Sequence, residues 1–282
     1  MDSKEKEEYR KALEHVKQLY PSAHVLAKAQ LIIRHENEKV RIGELTDLLR
    51  QDASIATDVV RASNSVHYGF ASPSSDLETS INRIGLEELL KLVGFVIARN
   101  VFSRDLEHYN MTAIDHWTES VVSALMMEWL SAQAGLNSHE AYMVGLLSVV
   151  GKTVINEAFD MFGDEYSYDG SLGVREWEMN LLSFDYAQAA SVLMKRWEFP
   201  VDIIAPIKYQ YQSDEDPENS CYTPAIAFVR EWLNLSGLDL KVCSREFSDS
   251  AKAFLSASSI PEEECVSGLD QVREKLQSMQ AM

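Results

Sequence analysis

The chain has 282 residues, enough to bury one large core or two adjoining lobes without disulfide or metal support. Its 44 acidic residues against 26 basic ones give a formal net charge of −18, which opposes binding to nucleic acid or to an anionic membrane, since both need clustered Lys and Arg. Three cysteines, Cys221, Cys243 and Cys265, are too few and too far apart for a disulfide framework or a zinc ribbon; they read as reduced thiols of a cytoplasmic protein.

Met1 to His15 is densely charged and lacks the apolar core of a secretory signal. Asp52-Ala53-Ser54-Ile55 leads into a predicted helix with Ile55, Val59 and Val60 facing inward, which stops in Asn64-Ser65-Val66-His67-Tyr68-Gly69. Ser75 with Glu78 has the spacing of a capping box. Leu86, Leu89, Leu90, Val93 and Ile97 then form one helical stripe, whose apolar run is too short to span a bilayer. Asn110 and Thr112 interrupt the pattern; Val121, Val122, Leu125, Met126 and Trp129 form the next stripe, and Ser138 opens a further helix. Ser213 to Ser220 reads as a polar surface loop, and Pro261 followed by Glu262, Glu263 and Glu264 places acids in a first helical turn. No strand-like alternation and no repeat period is visible, so the expected class is all-α. Two lobes are expected: residues 1–106, and residues 107–282 beginning between Glu107 and Thr112.

The stretch with most chemical content is Gly145-Leu146-Leu147-Ser148-Val149-Val150-Gly151-Lys152. Gly151-Lys152-Thr153 ends like a phosphate-binding loop, but such a loop needs glycine where Leu146 stands; Gly145 comes one residue too early, and no β-branched strand precedes it. The stretch resembles the signature Gly-Leu-Leu-His-Asp-Ile-Gly-Lys of the HD metal-dependent phosphohydrolases, with Ser148 and Val149 in place of the metal-binding His-Asp pair. Trp117-Thr118-Glu119-Ser120 is similar to their Trp-x-His-Ser, with Glu119 at the histidine. Asp185-Tyr186 matches a later Asp-His pair, and Tyr209-Gln210-Tyr211 a final His-His. No histidine follows His139, and His116, beside Trp117, reads as structural.

Within that superfamily the chain most resembles the HDOD (HD-related output domain) branch. Asp52-Ala53-Ser54-Ile55 and Asn64-Ser65-Val66-His67-Tyr68-Gly69 are similar to its Asp-Pro-x-Leu and Asn-Ser-x-x-Tyr-Gly, with Ala53 for the proline. Pro21 with the helix after it, and Ile81-Asn82-Arg83-Ile84-Gly85, also match. The resemblance implies a two-lobed helical bundle with an HD-like second lobe. Its degenerate site would comprise Glu119, Ser148, Val149, Lys152, Asp185 and Tyr186, with no metal, no cofactor and no catalytic residue. The implied function is that of a non-catalytic regulatory protein in bacterial signalling, working through a protein partner, with homo-oligomerisation left open. Two alternatives stand beside it. One is a divergent phosphohydrolase using Glu119, Asp160 and Asp185 with Mg²⁺ or Mn²⁺. The other is a sensor that keeps the old pocket for a nucleotide or other small molecule.

Two readings also apply to Asn64, Ser65, Tyr68 and Gly69. A helix ending explains the residue types, through Asn and Gly in left-handed backbone and a buried Tyr ring; a direct ligand site is the other. Lys152 either caps carbonyls, pairs with an acid, or holds a phosphate. Trp117, Trp177 and Trp197 are expected in the core or where the lobes meet.

Overall fold

The computed structural model describes residues 8–9, 11, 23–33, 38–65, 72–74, 76–163, 165–238, 240 and 246–280. Among them the architecture is all-α, with no strand; the only β-type pairing is an isolated antiparallel bridge between Leu106 and Met111. Pro21, Val66 to Gly69, Ser75 and Cys243 lie outside the described residues.

Before residue 102 the described residues include α1 (Ala23–Ile33), α2 (Glu38–Arg50), α3 (Ala53–Ser63), α4 (Leu77–Ile84) and α5 (Leu86–Val101). Asp52 is the cap of α3, accepting the Ser54 and Ile55 N–H groups at 3.0 and 3.1 Å. The acid therefore comes before the first helical residue, the place where proline is best tolerated, which Ala53 takes here. The cap of α4 is Asp76, whose carboxylate accepts the Thr79 N–H at 2.8 Å, one residue later than the spacing of Ser75 and Glu78 predicts. A turn at Gly85, φ 81°, then joins α4 to α5.

The second part contains α6 (Ala113–Gln133), α7 (Ser138–Leu147), α8 (Val150–Phe162), α9 (Val174–Leu182), α10 (Tyr186–Arg196), α11 (Val201–Lys208), α12 (Tyr222–Ser236), α13 (Asp249–Ala257) and α14 (Glu262–Gln280). Thr112 caps α6 and Asn137 caps α7, each with a side-chain oxygen. The first turn of α14 carries the three acids of Glu262 to Glu264, which complement the helix dipole. The segment 213–220 departs from a simple solvated loop: Asp216 is buried and accepts from the Glu218 and Ser220 N–H groups and from the Thr223 hydroxyl.

The α6–α7 hairpin is the centre of the packing. α5, α11, α12 and α14 all lie against one or both of its helices, and α8 packs on α10. α5 also contacts α1, α3 and α4, so its buried stretch from Leu92 to Ala98 is covered from more than one side. No helix of the described residues is long and apolar enough to cross a membrane.

Candidate functional site

The signature stretch is broken in the middle. α7 ends at Leu147 and α8 begins at Val150, so Ser148 and Val149 form the junction and do not lie within one helix. A helix end leaves carbonyl oxygens without intrahelical partners, and here side chains reach several carbonyls of the junction. Ser148 donates to Gly145 O at 2.6 Å, Ser120 to Leu146 O at 2.6 Å, Gln210 to Ser148 O at 3.1 Å and His116 Nε2–H to Val149 O at 3.2 Å. His116 is fully buried; burial and the nearby Lys152 charge push its pKa down to about 4, which keeps the ring neutral near pH 7.

The two glycines of the stretch are required by close approach. A Cβ on Gly151 would stand 1.8 Å from the Tyr186 carbonyl oxygen, and one on Gly145 would stand 2.4 Å from the Ser123 carbonyl oxygen. They bring α8 against α10 and α7 against α6, which accounts for both without any phosphate.

Behind the junction lies a buried ionic centre. Lys152, one turn into α8, reaches Glu119 on α6, with Nζ 2.6 Å from Oε2. Arg230 on α12 donates to the other oxygen, Oε1, at 3.1 Å, and also to the Ser123 hydroxyl. The two cationic side chains are 5% exposed and that of Glu119 13%. Burial would raise the Glu119 pKa, but Lys152 and Arg230 outweigh it and hold the carboxyl at about 2. Burial likewise works against the charge on Lys152, and the Glu119 carboxylate overrides it. The Lys152 ammonium also faces the Tyr186 ring, 5.1 Å from its centre, and the Tyr186 and Tyr211 hydroxyls lie 2.6 Å apart.

One more buried acid lies nearby. Glu178 on α9 accepts the Tyr109 hydroxyl at 2.6 Å and the Tyr186 N–H at 2.8 Å; burial pushes its pKa up to about 8. Asp185 has a different role from the one its sequence match suggests. It caps α10 in a capping box with Gln188, and its other oxygen accepts from Arg175 at 2.9 Å.

These residues do not fit a catalytic metal. Val149 is fully buried and has no lone pair, the Ser148 hydroxyl donates to a carbonyl, and both Glu119 oxygens are taken by cations. The carboxylates of the hydrolase alternative are not gathered: Glu119 is in the ionic centre, Asp160 lies 2.9 Å from the His108 ring nitrogen, and Asp185 caps a helix. Among the described residues no group of three or more His, Cys, Asp or Glu side chains is placed to hold a metal ion.

The motif of the first part forms a separate constellation. Asn64 follows α3 with φ −90° and ψ 1°, so the left-handed backbone is not what selects asparagine. Its amide pairs with the backbone of Ser74: Nδ2 donates to Ser74 O at 2.8 Å, and Ser74 N–H donates to Oδ1 at 2.6 Å. The side chain thus clamps both ends of the 65–73 connection. Ser63, Ser74 and Ser80 form a buried hydroxyl relay beside it, with O–O distances of 3.0 Å. Ser65 follows in the turn, while Tyr68 and Gly69 lie outside the described residues.

The sequence profile of the HDOD domain matches residues 19–213, over two thirds of the chain. The chain belongs to the HDOD domain family. An HDOD domain protein from Geobacter sulfurreducens superposes with a TM-score of 0.67 at 21% identity, covering 90% of each chain. A protein named for signal transduction from Marinobacter aquaeolei VT8 gives 0.72 at 21%, covering 96% of this chain and 60% of its own. One named as a phosphohydrolase from Shewanella amazonensis SB2B gives 0.60 at 17%, covering 97% and 94%. At these identities the likeness is one of fold. An uncharacterized protein of Treponema pallidum (strain Nichols) is 24% identical over 200 residues; the match takes in 69% of this chain and only 38% of that protein's length.

Arg230 and Glu178 were missed in the sequence, and for Arg230 a signal existed. In Ile226-Ala227-Phe228-Val229-Arg230-Glu231-Trp232-Leu233 it stands four residues after Ile226 and three before Leu233, on the apolar face of α12. A cation there implies a buried counter-charge. Nothing comparable marks Glu178 among so many acids. Trp117 meets Phe95 edge-on, and Trp177 joins the rings of Tyr109, Phe159 and Tyr168, while Trp197 is buried.

Proposed function

We propose that this HDOD chain is a non-catalytic regulatory module of signal transduction that works by presenting a fixed surface to a protein partner. The observation that carries this reading is the ionic centre. Where an HD phosphohydrolase needs open ligand positions, Glu119 is saturated by Lys152 and Arg230, and the junction carbonyls are saturated by side chains. With both oxygens engaged by cations, the Glu119 carboxylate is poorly placed to activate water. The name of the Marinobacter protein agrees with a signalling role. The −18 charge favours a protein partner in the cytoplasm over nucleic acid or membrane. In this reading residues 1–106 and 107–282 act as two lobes, and the Asn64 clamp keeps the shape of the first.

The name of the Shewanella protein favours the second reading, a hydrolase. An assay of bis(p-nitrophenyl) phosphate with Mn²⁺ or Mg²⁺, run with metal analysis of the dialysed protein, separates the two. The regulatory reading expects background turnover and no stoichiometric transition metal. Turnover abolished by Glu119→Ala, or about one Mn, Fe or Zn per chain, would overturn it. A pull-down from the native host with wild type and Asn64→Ala then asks whether partner recovery follows the integrity of the clamp.

A further inference from the structure

In a chain with 44 acidic residues, none falls between Leu89 and Arg104, while Lys91, Arg99 and Arg104 all lie in that run. The same bias appears where α3 packs on α5. A cleft of about 30 Å³ opens there, and its buried lining, Ala62, Phe95 and Val96, is apolar. Its charged lining is Asp58 and Arg61 from α3 and Arg99 from α5. Arg61 pairs with Asp58 in its own helix, whereas Arg99 has no ion pair among the described residues, so the cleft carries one more cation than anion. Other clefts differ: between α2 and α4, Arg50 stands against Asp47 and Glu78, and between α6 and α14, Lys275 is paired with Glu128. Each arginine is in the last turn of its helix, where it complements the dipole; that accounts for the residue type but not for two of them lining one cleft.

Size selects the occupant. A space of about 30 Å³ is of the order of one water molecule, far below the roughly 300 Å³ at which metabolite pockets begin, but it admits a single carboxylate. Guanidinium groups are suited to that anion, and the apolar lining strengthens the pairing by lowering the local dielectric. We infer that the α3–α5 cleft is the docking site for one Asp or Glu side chain of a protein partner, held by Arg99 and Arg61; this rests on the regulatory reading above and names the chemistry by which the partner is recognised. The net charge of −18 adds selectivity, since the rest of the surface repels a phosphate backbone or a run of acids but not an isolated acid on a neutral or basic surface. The Asn64 clamp bears on the same place. Asn64 N–H donates to Arg61 O at 3.1 Å, so the residue that holds Ser74 also closes the helical turn carrying Arg61. Phe95 meets Trp117 of α6 edge-on with ring centres 5.8 Å apart, which fixes the lining of the cleft before any partner arrives.

The test uses the full chain with isotope-labelled arginine and two peptides, acetyl-Leu-Glu-Leu-amide and acetyl-Leu-Gln-Leu-amide. The Nε–H resonances of Arg61 and Arg99 shift saturably with the glutamate peptide while those of Arg50 and Arg83 stay in place. The glutamine peptide binds about tenfold more weakly or worse, and so does the glutamate peptide to Arg99→Gln. Arg61→Gln and Arg99→Gln melt like wild type, since both arginines are exposed. Equal binding of the two peptides, or equal shifts of all four arginines, would overturn the inference. Tighter binding of a short DNA duplex or of polyglutamate at the same arginines would overturn it too, by making the cleft a polyanion site. A pull-down from the native host with wild type and Arg99→Glu separates this inference from the regulatory reading. A partner recovered equally by both defeats the cleft and leaves that reading standing; no partner from wild type removes the reading, and the peptide titration alone then decides the chemistry of the cleft.

Discussion

Two polar constellations occupy the two parts of this molecule, one of buried charges and one of buried serines beside an exposed Asn64, and they are built on different physics. The centre at Glu119, Lys152 and Arg230 is ionic and joins residues 33 and 111 positions apart in the chain. The cluster at Asn64, Ser63, Ser74 and Ser80 is neutral and joins residues 6 to 17 apart. A charge taken from water has a large desolvation cost that only its partners offset, so the ionic centre is all-or-none. A neutral amide or hydroxyl that loses a partner forfeits about 1–3 kcal/mol. The first kind of cluster fixes how distant helices assemble; the second holds residues 64 and 74 together.

The comparison is broken most sharply at Glu119. Glu119→Ala leaves two buried cations without their counter-charge and should cost about 3–5 kcal/mol in urea unfolding. A cost below about 1 kcal/mol would show that water reaches the centre and that the contrast between the two clusters is false. Gly151→Ala comes next, at about 3 kcal/mol, since a backbone carbonyl must yield to the new methyl. Restoring the ligand pair with Ser148→His and Val149→Asp should not restore hydrolysis, because Glu119, Tyr186 and Gln210 remain altered. It should lower stability by about 1–3 kcal/mol, since Val149 is fully buried. Recovery of metal-dependent turnover by this variant would refute that expectation.

In the neutral cluster, Asn64→Ala should cost about 1–2 kcal/mol by freeing the Ser74 backbone groups. Asn64→Asp should be worse than an isosteric change suggests, because its carboxylate would face the Ser74 carbonyl. Equal stability of Asp and Asn at this position would mean that the clamp does not hold in solution. Tyr68→Phe sharpens the functional side: partner recovery lost at an unchanged melting temperature would make the motif a ligand site instead of a support.

The effects of pH run through the same buried groups, and their signs oppose one another. Glu119, held at about 2, stabilises above its ordinary value of 4.5 and loses that contribution as pH falls from about 4.5 to about 2. His116, held at about 4, is neutral in the fold, so its share is lost as pH falls from 6.5 to about 4. Glu178, raised to about 8, contributes fully below 4.5 and loses that contribution as pH rises through about 8. Glu178→Gln should therefore flatten the fall in stability between about pH 4.5 and 8 while leaving the acid limb unchanged. An unaltered neutral-to-alkaline slope in that variant would show that Glu178 is ionised in the fold throughout.

The helices were legible in the sequence because their determinants are local: apolar spacing, the helix start at Thr112, and the acids after Pro261. The family was legible too, because its motifs lie in short runs, and Ser148 and Val149 stand out by residue type alone where the resemblance expects a His-Asp pair. Tertiary structure decided what took their place. That Lys152 pairs with an acid, that the acid is Glu119, and that Arg230 takes its second oxygen depend on helices brought together across 111 positions of sequence. The same holds for the amide clamp of Asn64 on Ser74 and for the close approaches at Gly145 and Gly151. Local patterns record what a segment buries. Which charge meets which is set by packing, and in a chain with 44 acidic residues no spacing rule singles out those that the core retains.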